Sequence, residues 1–162
     1  MIAIADRVTG QVLRVVEADT LREANLCFAN LADADLEAVS CAGADLAGAS
    51  LRGAWLERAD FTGARLMDAD LRHAHLLAAR LQGANLEGAH LDGANLRGAG
   101  LRDALLLGAT LQNADFRCCD LRGADLRASG LETADLRGAE YNRASRWPPG
   151  FSPESRGAQL TF

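Results

Sequence analysis

A five-residue unit recurs without insertion or deletion from about Asp19 to Arg143, and no other feature limits the possible folds so strongly. Its purest stretch, residues 81–100, reads Leu-Gln-Gly-Ala-Asn, Leu-Glu-Gly-Ala-His, Leu-Asp-Gly-Ala-Asn, Leu-Arg-Gly-Ala-Gly. With each Leu taken as a centre, centres fall at every fifth position from 21 to 141. Of these 25 positions 21 are Leu, and Cys41, Phe61, Phe116 and Tyr141 are the exceptions. Two residues before each centre, 21 of 25 positions are Ala; Asp19, Val39, Cys119 and Ser129 are the exceptions. An internal repeat of this kind decides the architecture before any helix or strand is assigned.

A period of five matches neither regular template. On an α-helix five residues advance about 500°, so the Leu side chains would spiral around the axis. In a flat strand successive Leu residues would land on opposite faces. A short extended piece, bent once per unit, keeps every centre and every preceding Ala on the inside. The bends are provided for: 11 of the 16 Gly lie two residues after a centre, and Asn or Asp holds 12 of the 25 positions just before one. Both residue types tolerate turns, and Asn or Asp side chains bond nearby backbone.

This Ala-Asp/Asn-Leu-X-X pattern resembles the pentapeptide repeat family over about three-quarters of the chain. The resemblance implies an all-β fold, a right-handed quadrilateral β-helix in which four units make one coil and residue n lies over n+20. The repeat then forms a solenoid of about six coils, and at roughly 4.8 Å per coil a rod about 30 Å long. Under that stacking Val39 is too large for its Ala slot and Cys41 too small for its Leu slot, so the two offset in volume. Phe61 would fill the space over Cys41.

Both ends are expected to be capped. In residues 1–18, Ile2 and Ile4 alternate with small residues, Thr9-Gly10 marks a turn and Val12–Val16 follows. This reads as an N-terminal β-hairpin cap over the first open coil. Residues 19–143 are the β-helix. Residues 144–162 form an aromatic and Pro-rich cap and tail, similar to the segment that closes many bacterial pentapeptide proteins. Tyr141, Trp147 and Phe151 would lie across the last coil, the three Pro stop further strand pairing, and the last residues are expected to fray.

The net charge is −5, and all 17 basic residues are Arg. Residues 17–60 carry nine acids and three Arg, residues 61–100 are balanced, and residues 101–145 have seven acids and six Arg. A basic footprint for direct nucleic-acid binding is absent. Cys41 and Cys119 hold inward slots, Cys27 and Cys118 point outward on different sides, and no disulfide is expected, in keeping with a reducing cytoplasm. The opening residues do not read as a signal peptide, and no stretch approaches a membrane span. The expected location is cytoplasmic.

No constellation for chemistry stands out. His73, His75 and His90 point from different sides, whereas a metal needs three or four converging ligands. Cys118-Cys119 places one sulfur out and one in, which disfavours a redox pair. No nucleophile–base pair can be placed, so neither an enzyme nor a cofactor is expected. Arg97, Arg117 and Arg137 stack beside Asp115 and Asp135 as a solvated face with weak ion pairs.

The other end of that side carries Asp35, Glu37, Trp55, Glu57, His75 and Leu77. Glu37 over Glu57 is a costly like-charge stack. Trp55 sits where a turn residue is usual and should be exposed. An exposed Trp with Leu77 and an acidic rim marks a partner-binding spot, or else a stray surface tryptophan. Met67, Leu105 and Leu107 form a second apolar patch, equally a packing surface between protomers. The reading is a non-catalytic protein-interaction scaffold, monomeric or dimeric end to end or face to face. The alternative comes from the resemblance: some relatives mimic duplex DNA and bind type II topoisomerase (DNA gyrase), inhibiting it or protecting it from inhibitors. Asp45 and Asp60, with Asp35 and Glu37, would be the mimic's acids. Those relatives dimerise through a C-terminal helix, and no helical pattern follows Ser145.

Overall fold

Single backbone rungs, repeated at a fixed interval, hold this chain together. The computed structural model describes all residues, Met1–Phe162. It contains four short strands, one 3-10 turn and no α-helix. Between Asn25 and Arg146 the chain pairs with itself through isolated parallel bridges. Four ladders start at Asn25, Asn30, Asp35 and Ser40 and step twenty residues at a time, as in Asn25–Asp45–Arg65–Asn85–Leu105–Asp125, except at Thr110–Ser129 and Asp125–Arg146. Each rung consists of two bonds, for example Asp45 N to Ala24 O at 2.9 Å and Leu26 N to Asp45 O at 2.7 Å. The expected stacking of n over n+20 is therefore present.

The repeat explains the rung. Side chains at the centre and two residues before it point to one interior, so Leu81, Ala84, Leu86 and Ala89 are each 0–1 % exposed. They belong to one continuous core that runs the length of the repeat. Each buried Leu contributes about 1.5–3 kcal/mol. The corner follows the centre. From Glu23 to Gly123 the residue two past every centre has positive φ, Gly or not. The turn closes with bonds such as Ala84 N to Leu81 O at 3.0 Å. The Asn or Asp before a centre braces it, as Asn85 Oδ1 accepts from Glu87 N at 3.0 Å and Asp115 Oδ1 from Arg117 N at 3.0 Å.

Two details of the interior differ from expectation. The sequence repeats without a gap, but the backbone does not: Thr110 pairs with Ser129, and the register is regained at Asp115–Asp135. Ser129 is polar, and its Ala slot is apolar. The chain slips by one, so that Ala128 packs against the core and Ser129 turns outward. Gly130 absorbs the extra residue with φ 84°. Val39 is the second case. It is only partly buried, whereas Cys41 and Phe61 are fully enclosed. Its side chain still packs against the core, in a slot where Ala is usually fully buried.

The first end is covered by an antiparallel hairpin, β1 (Ile2–Ala5) and β2 (Val12–Val16). Ile4 is 2 % exposed and plugs the core. The hairpin is tied to the rod by Asp35 N to Ala5 O at 2.8 Å and Arg7 N to Asp33 O at 3.0 Å. At the far end Tyr141 meets Trp147 edge-on at 5.5 Å, and Trp147 stacks on Phe151 at 5.5 Å. The Tyr141 hydroxyl donates to the Glu154 carboxylate. The tail departs from expectation. Three Pro do not stop pairing, because the chain returns after the 3-10 turn Glu154–Arg156. There β4 (Gln159–Leu160) pairs in parallel with β3 (Glu140–Tyr141).

Candidate partner-binding face

Trp55 occupies the outward position just before the buried centre Leu56, on the ladder Asp35–Trp55–His75. The twenty-residue stacking lays its indole on the imidazole of His75, with ring centroids 4.2 Å apart and planes 11° from parallel. The hairpin turn then reaches over. The Arg7 guanidinium carbon lies 4.6 Å from the Trp55 ring centroid. Arg7 Nη1 donates to Asp35 Oδ1 at 3.1 Å and to Glu37 Oε2 at 2.9 Å. Arg58 forms an ion pair with the other oxygen of Glu37. These contacts, Arg7 first and Arg58 next, hold the Glu37 carboxyl below the usual carboxylate range.

Asp35, Glu37, Trp55 and His75 thus come together as one surface. Glu57 stands beside them, with Oε2 buried and without a hydrogen-bond partner. Leu77 borders the face at 43 % exposure. Two expectations change here. Trp55 is half-buried rather than exposed, because Arg7 covers it. The like-charge stack of Glu37 and Glu57 is relieved, because Glu37 meets two arginines. Arg7 and Arg58 are the members that sequence reasoning missed. Arg58 carried a signal, since it occupies a corner position in the unit after Trp55. Arg7 carried none, since it lies outside the repeat.

The remaining candidates are dispersed. Asp45 Oδ2 accepts from Arg65 Nη1 at 2.8 Å, and Asp60 lies 3.7 Å from Arg80. Both carboxyls are held low, Asp45 chiefly by the Cys27 thiol and Asp60 chiefly by Thr62. Leu105 and Leu107 are exposed on one side of the rod, and Met67, nearer its start, is half-buried. Phe28, 82 % exposed, was not anticipated in any patch. Its ring lies so close over Gly48 that a Cβ there would come within 2.5 Å. A Phe in a corner slot that often holds Gly was the available signal. Five arginines fold back on the Asp two residues before them: Arg72, Arg117, Arg122, Arg127 and Arg137. In Asp120–Arg122 the two bonds measure 2.8 and 2.6 Å. The expected ion pairs therefore form mainly inside a unit; Arg117 to Asp135, at 3.7 Å, also links two coils.

The histidines go separate ways. His73 lies against Gly93, His75 lies on Trp55, and His90 Nδ1 is 3.3 Å from Thr110 Oγ1. No group of three or more His, Cys, Asp or Glu converges as metal ligands do. All four thiols are free; Cys41 and Cys119 are buried and Cys118 is exposed. An open cleft of about 620 Å³ is lined by Asp135, Arg137, Glu154 and Arg156 among others.

The family model of pentapeptide repeats matches residues 40–76, 64–103 and 104–140. Among solved structures, the chain is similar to alr5209, a pentapeptide repeat protein from Nostoc Pcc 7120. The two are 39% identical over 63% of this chain and 84% of that one, with a TM-score of 0.61. It is also similar to HetL, a pentapeptide repeat protein involved in heterocyst differentiation regulation from Nostoc sp. strain PCC 7120. There the identity is 28%, the coverage 78% and 75%, and the TM-score 0.43. QnrB1, a plasmid-mediated fluoroquinolone resistance protein, is 21% identical over 90% of this chain and 70% of that one, with a TM-score of 0.45. No curated protein matches the sequence.

Proposed function

Because this chain belongs to the pentapeptide repeat family, we propose that it is a non-catalytic interaction scaffold: a right-handed, four-sided rod of about six coils that offers a partner protein the face around Trp55. One observation carries the reading. Asp35, Trp55 and His75 are joined by two rungs of one ladder, with Glu37 and Leu77 two residues after Asp35 and His75, so the repeat presents them at fixed spacing. Aromatic and charged groups held on a rigid support are what a binding hot spot requires. The proposal places the protein in the bacterial cytoplasm, where single thiols such as Cys118 stay reduced.

The test is capture of a partner by the purified chain, compared with Trp55→Ala. The variant should keep its circular dichroism spectrum and lose the partner. Equal capture by both proteins would remove the face from consideration.

The acid excess of residues 17–60 favours one other reading, a DNA mimic directed at a type II topoisomerase. Duplex DNA carries a charge per about 1.7 Å, so a mimic needs free carboxylates along its length. Asp45 and Asp60 are instead engaged by Arg65 and Arg80, and Asp35 and Glu37 by Arg7. A gyrase supercoiling assay separates the two readings. The mimic requires inhibition or protection that is lost when Asp35, Glu37, Asp45 and Asp60 are made neutral. The scaffold reading expects supercoiling to proceed unchanged.

A further inference from the structure

The hairpin places an arginine in a cage that the rod supplies. One wall is the Trp55 indole, 4.6 Å from the Arg7 guanidinium carbon and backed by His75. The acceptors are Asp35 and Glu37, one coil away on the same side. A planar cation that stacks and donates in its own plane suits this pair of demands, and a tetrahedral ammonium does not. We propose that this face is a guanidinium-binding cage, that Arg7 is its built-in occupant, and that its external ligand is an arginine side chain on an exposed segment of a partner protein.

The cage retains binding capacity with Arg7 in place. Arg7 reaches both carboxylates through the single nitrogen Nη1. Glu57 Oε2 is buried and has no hydrogen-bond partner, so Glu57 adds negative charge that no bond offsets. Three carboxylates therefore face two arginines, Arg7 and Arg58, and the site keeps a net negative charge.

The occupant is carried by a turn rather than by the rod. Arg7 sits in the hairpin turn, and Val8, next to it, is 81 % exposed. Rod contact in the turn rests on the Asp6–Ala34 bridge, closed by Arg7 N to Asp33 O and Asp35 N to Ala5 O, and on the Arg7 side chain itself. The plug Ile4 lies before the turn. The tip can swing aside while Ile4 stays buried, and a second arginine then takes the place of the first. Competition by Arg7 raises the threshold for binding, so that a ligand with a further contact to the exposed Leu77 is preferred over a lone arginine.

This inference rests on the face around Trp55 being the partner surface and adds the class of ligand. Its test uses the Trp55 indole N–H signal in the NMR spectrum, assigned by its absence in Trp55→Ala. The full chain, Arg7→Ala and Arg7→Ala with Glu37→Gln are each titrated with N-acetyl-arginine amide and with N-acetyl-lysine amide. Arg7→Ala should give a saturable shift with arginine about tenfold tighter than with lysine. The unchanged chain should respond about tenfold more weakly, and the double variant should not respond. A folded Arg7→Ala that ignores arginine, or that treats the two amides alike, overturns the cage. If Arg7→Ala loses its fold, Arg7→Gln is titrated instead and read in the same way. Partner loss in Trp55→Ala combined with silence toward arginine would discard the cage and keep the surface.

Discussion

Ser129 pairs with Thr110 across nineteen positions, whereas Asp125 pairs with Leu105 across twenty on the adjacent ladder. The missing residue reappears at Gly130, which is buried with φ 84°. A Cβ on Gly130 would lie 2.6 Å from the backbone nitrogen of Gln112 and 3.0 Å from its Cα, and backbone cannot yield as a side chain can. Gly63 offers a contrast, since its φ of 64° is also left-handed but a Cβ there meets nothing within 4 Å. Gly130→Ala should therefore cost about 3 kcal/mol or more, combining strain and clash, and Gly63→Ala about 0.5 kcal/mol once the chain entropy of Gly is set against the strain. Urea unfolding of the two variants measures the difference. Equal midpoints would mean that the slipped register is not held by Gly130.

The same corner geometry predicts stabilising changes. Ala38 and Ala78 have φ 55° at positions where Gly43, Gly48 and Gly53 serve elsewhere. A left-handed L-residue costs about 1–2 kcal/mol, and Gly gives back about 0.5–1 kcal/mol in chain entropy. Ala78→Gly should raise stability by about 0.5 kcal/mol, opposite to the usual penalty for introducing Gly. A lower melting temperature for Ala78→Gly would show that the corners are not strained.

How much of this was legible in the sequence follows from what the repeat encodes. Leu81 and Ala84 could be placed inside from the five-residue period alone, because burial there depends only on position within the unit. The slip at Ser129 left a trace, a polar residue in an Ala slot, but its remedy needed neighbouring Ala128 and Gly130 in three dimensions. The pairing of Arg7 with Trp55 left none. The register between hairpin and rod is fixed by Ile4 entering the core and by Asp35 N bonding Ala5 O, and neither is written in a period. The pairing of β4 was hidden by Pro149 and Pro153, which read as breakers although they only turn the chain before it rejoins the edge.

Thiol reactivity should sort the cysteines. Cys118 is exposed, while burial pushes the Cys41 thiol up to about 12 and Cys119 higher still. The Cys119 thiol also donates to Leu96 O at 2.9 Å. The Cys27 thiol is raised by its bond to Asp45. The thiolate is the reactive form. With a disulfide reagent at pH 8, Cys118 should react first, Cys27 more slowly, and Cys41 and Cys119 only on unfolding. Mass spectrometry of the labelled peptides gives the order. Early labelling of Cys119 would contradict its inward placement.

Acid should loosen the Asp-X-Arg braces, and Asp135 is the clearest case. Arg137 bonds its carboxylate at 2.9 and 2.5 Å, which lowers its pKa to about 2. The unfolded value is about 3.9. A depressed carboxylate stabilises the fold fully above the unfolded pKa, and that stabilisation is lost as pH falls through about 2. The pair is largely solvated, so solvent screening limits its worth to roughly 0.5–1 kcal/mol. Asp135→Asn keeps the acceptor for Arg137 N and removes only the charge, which isolates this contribution. The variant should be less stable than the parent at pH 7 and at low salt, and the two should draw together from about pH 4 downward and converge below about pH 2. Added salt at pH 7 should narrow the gap as well. A difference that persists unchanged to pH 2 would assign the loss to the turn rather than to the ion pair, and Arg137 would then be a surface charge without a structural role.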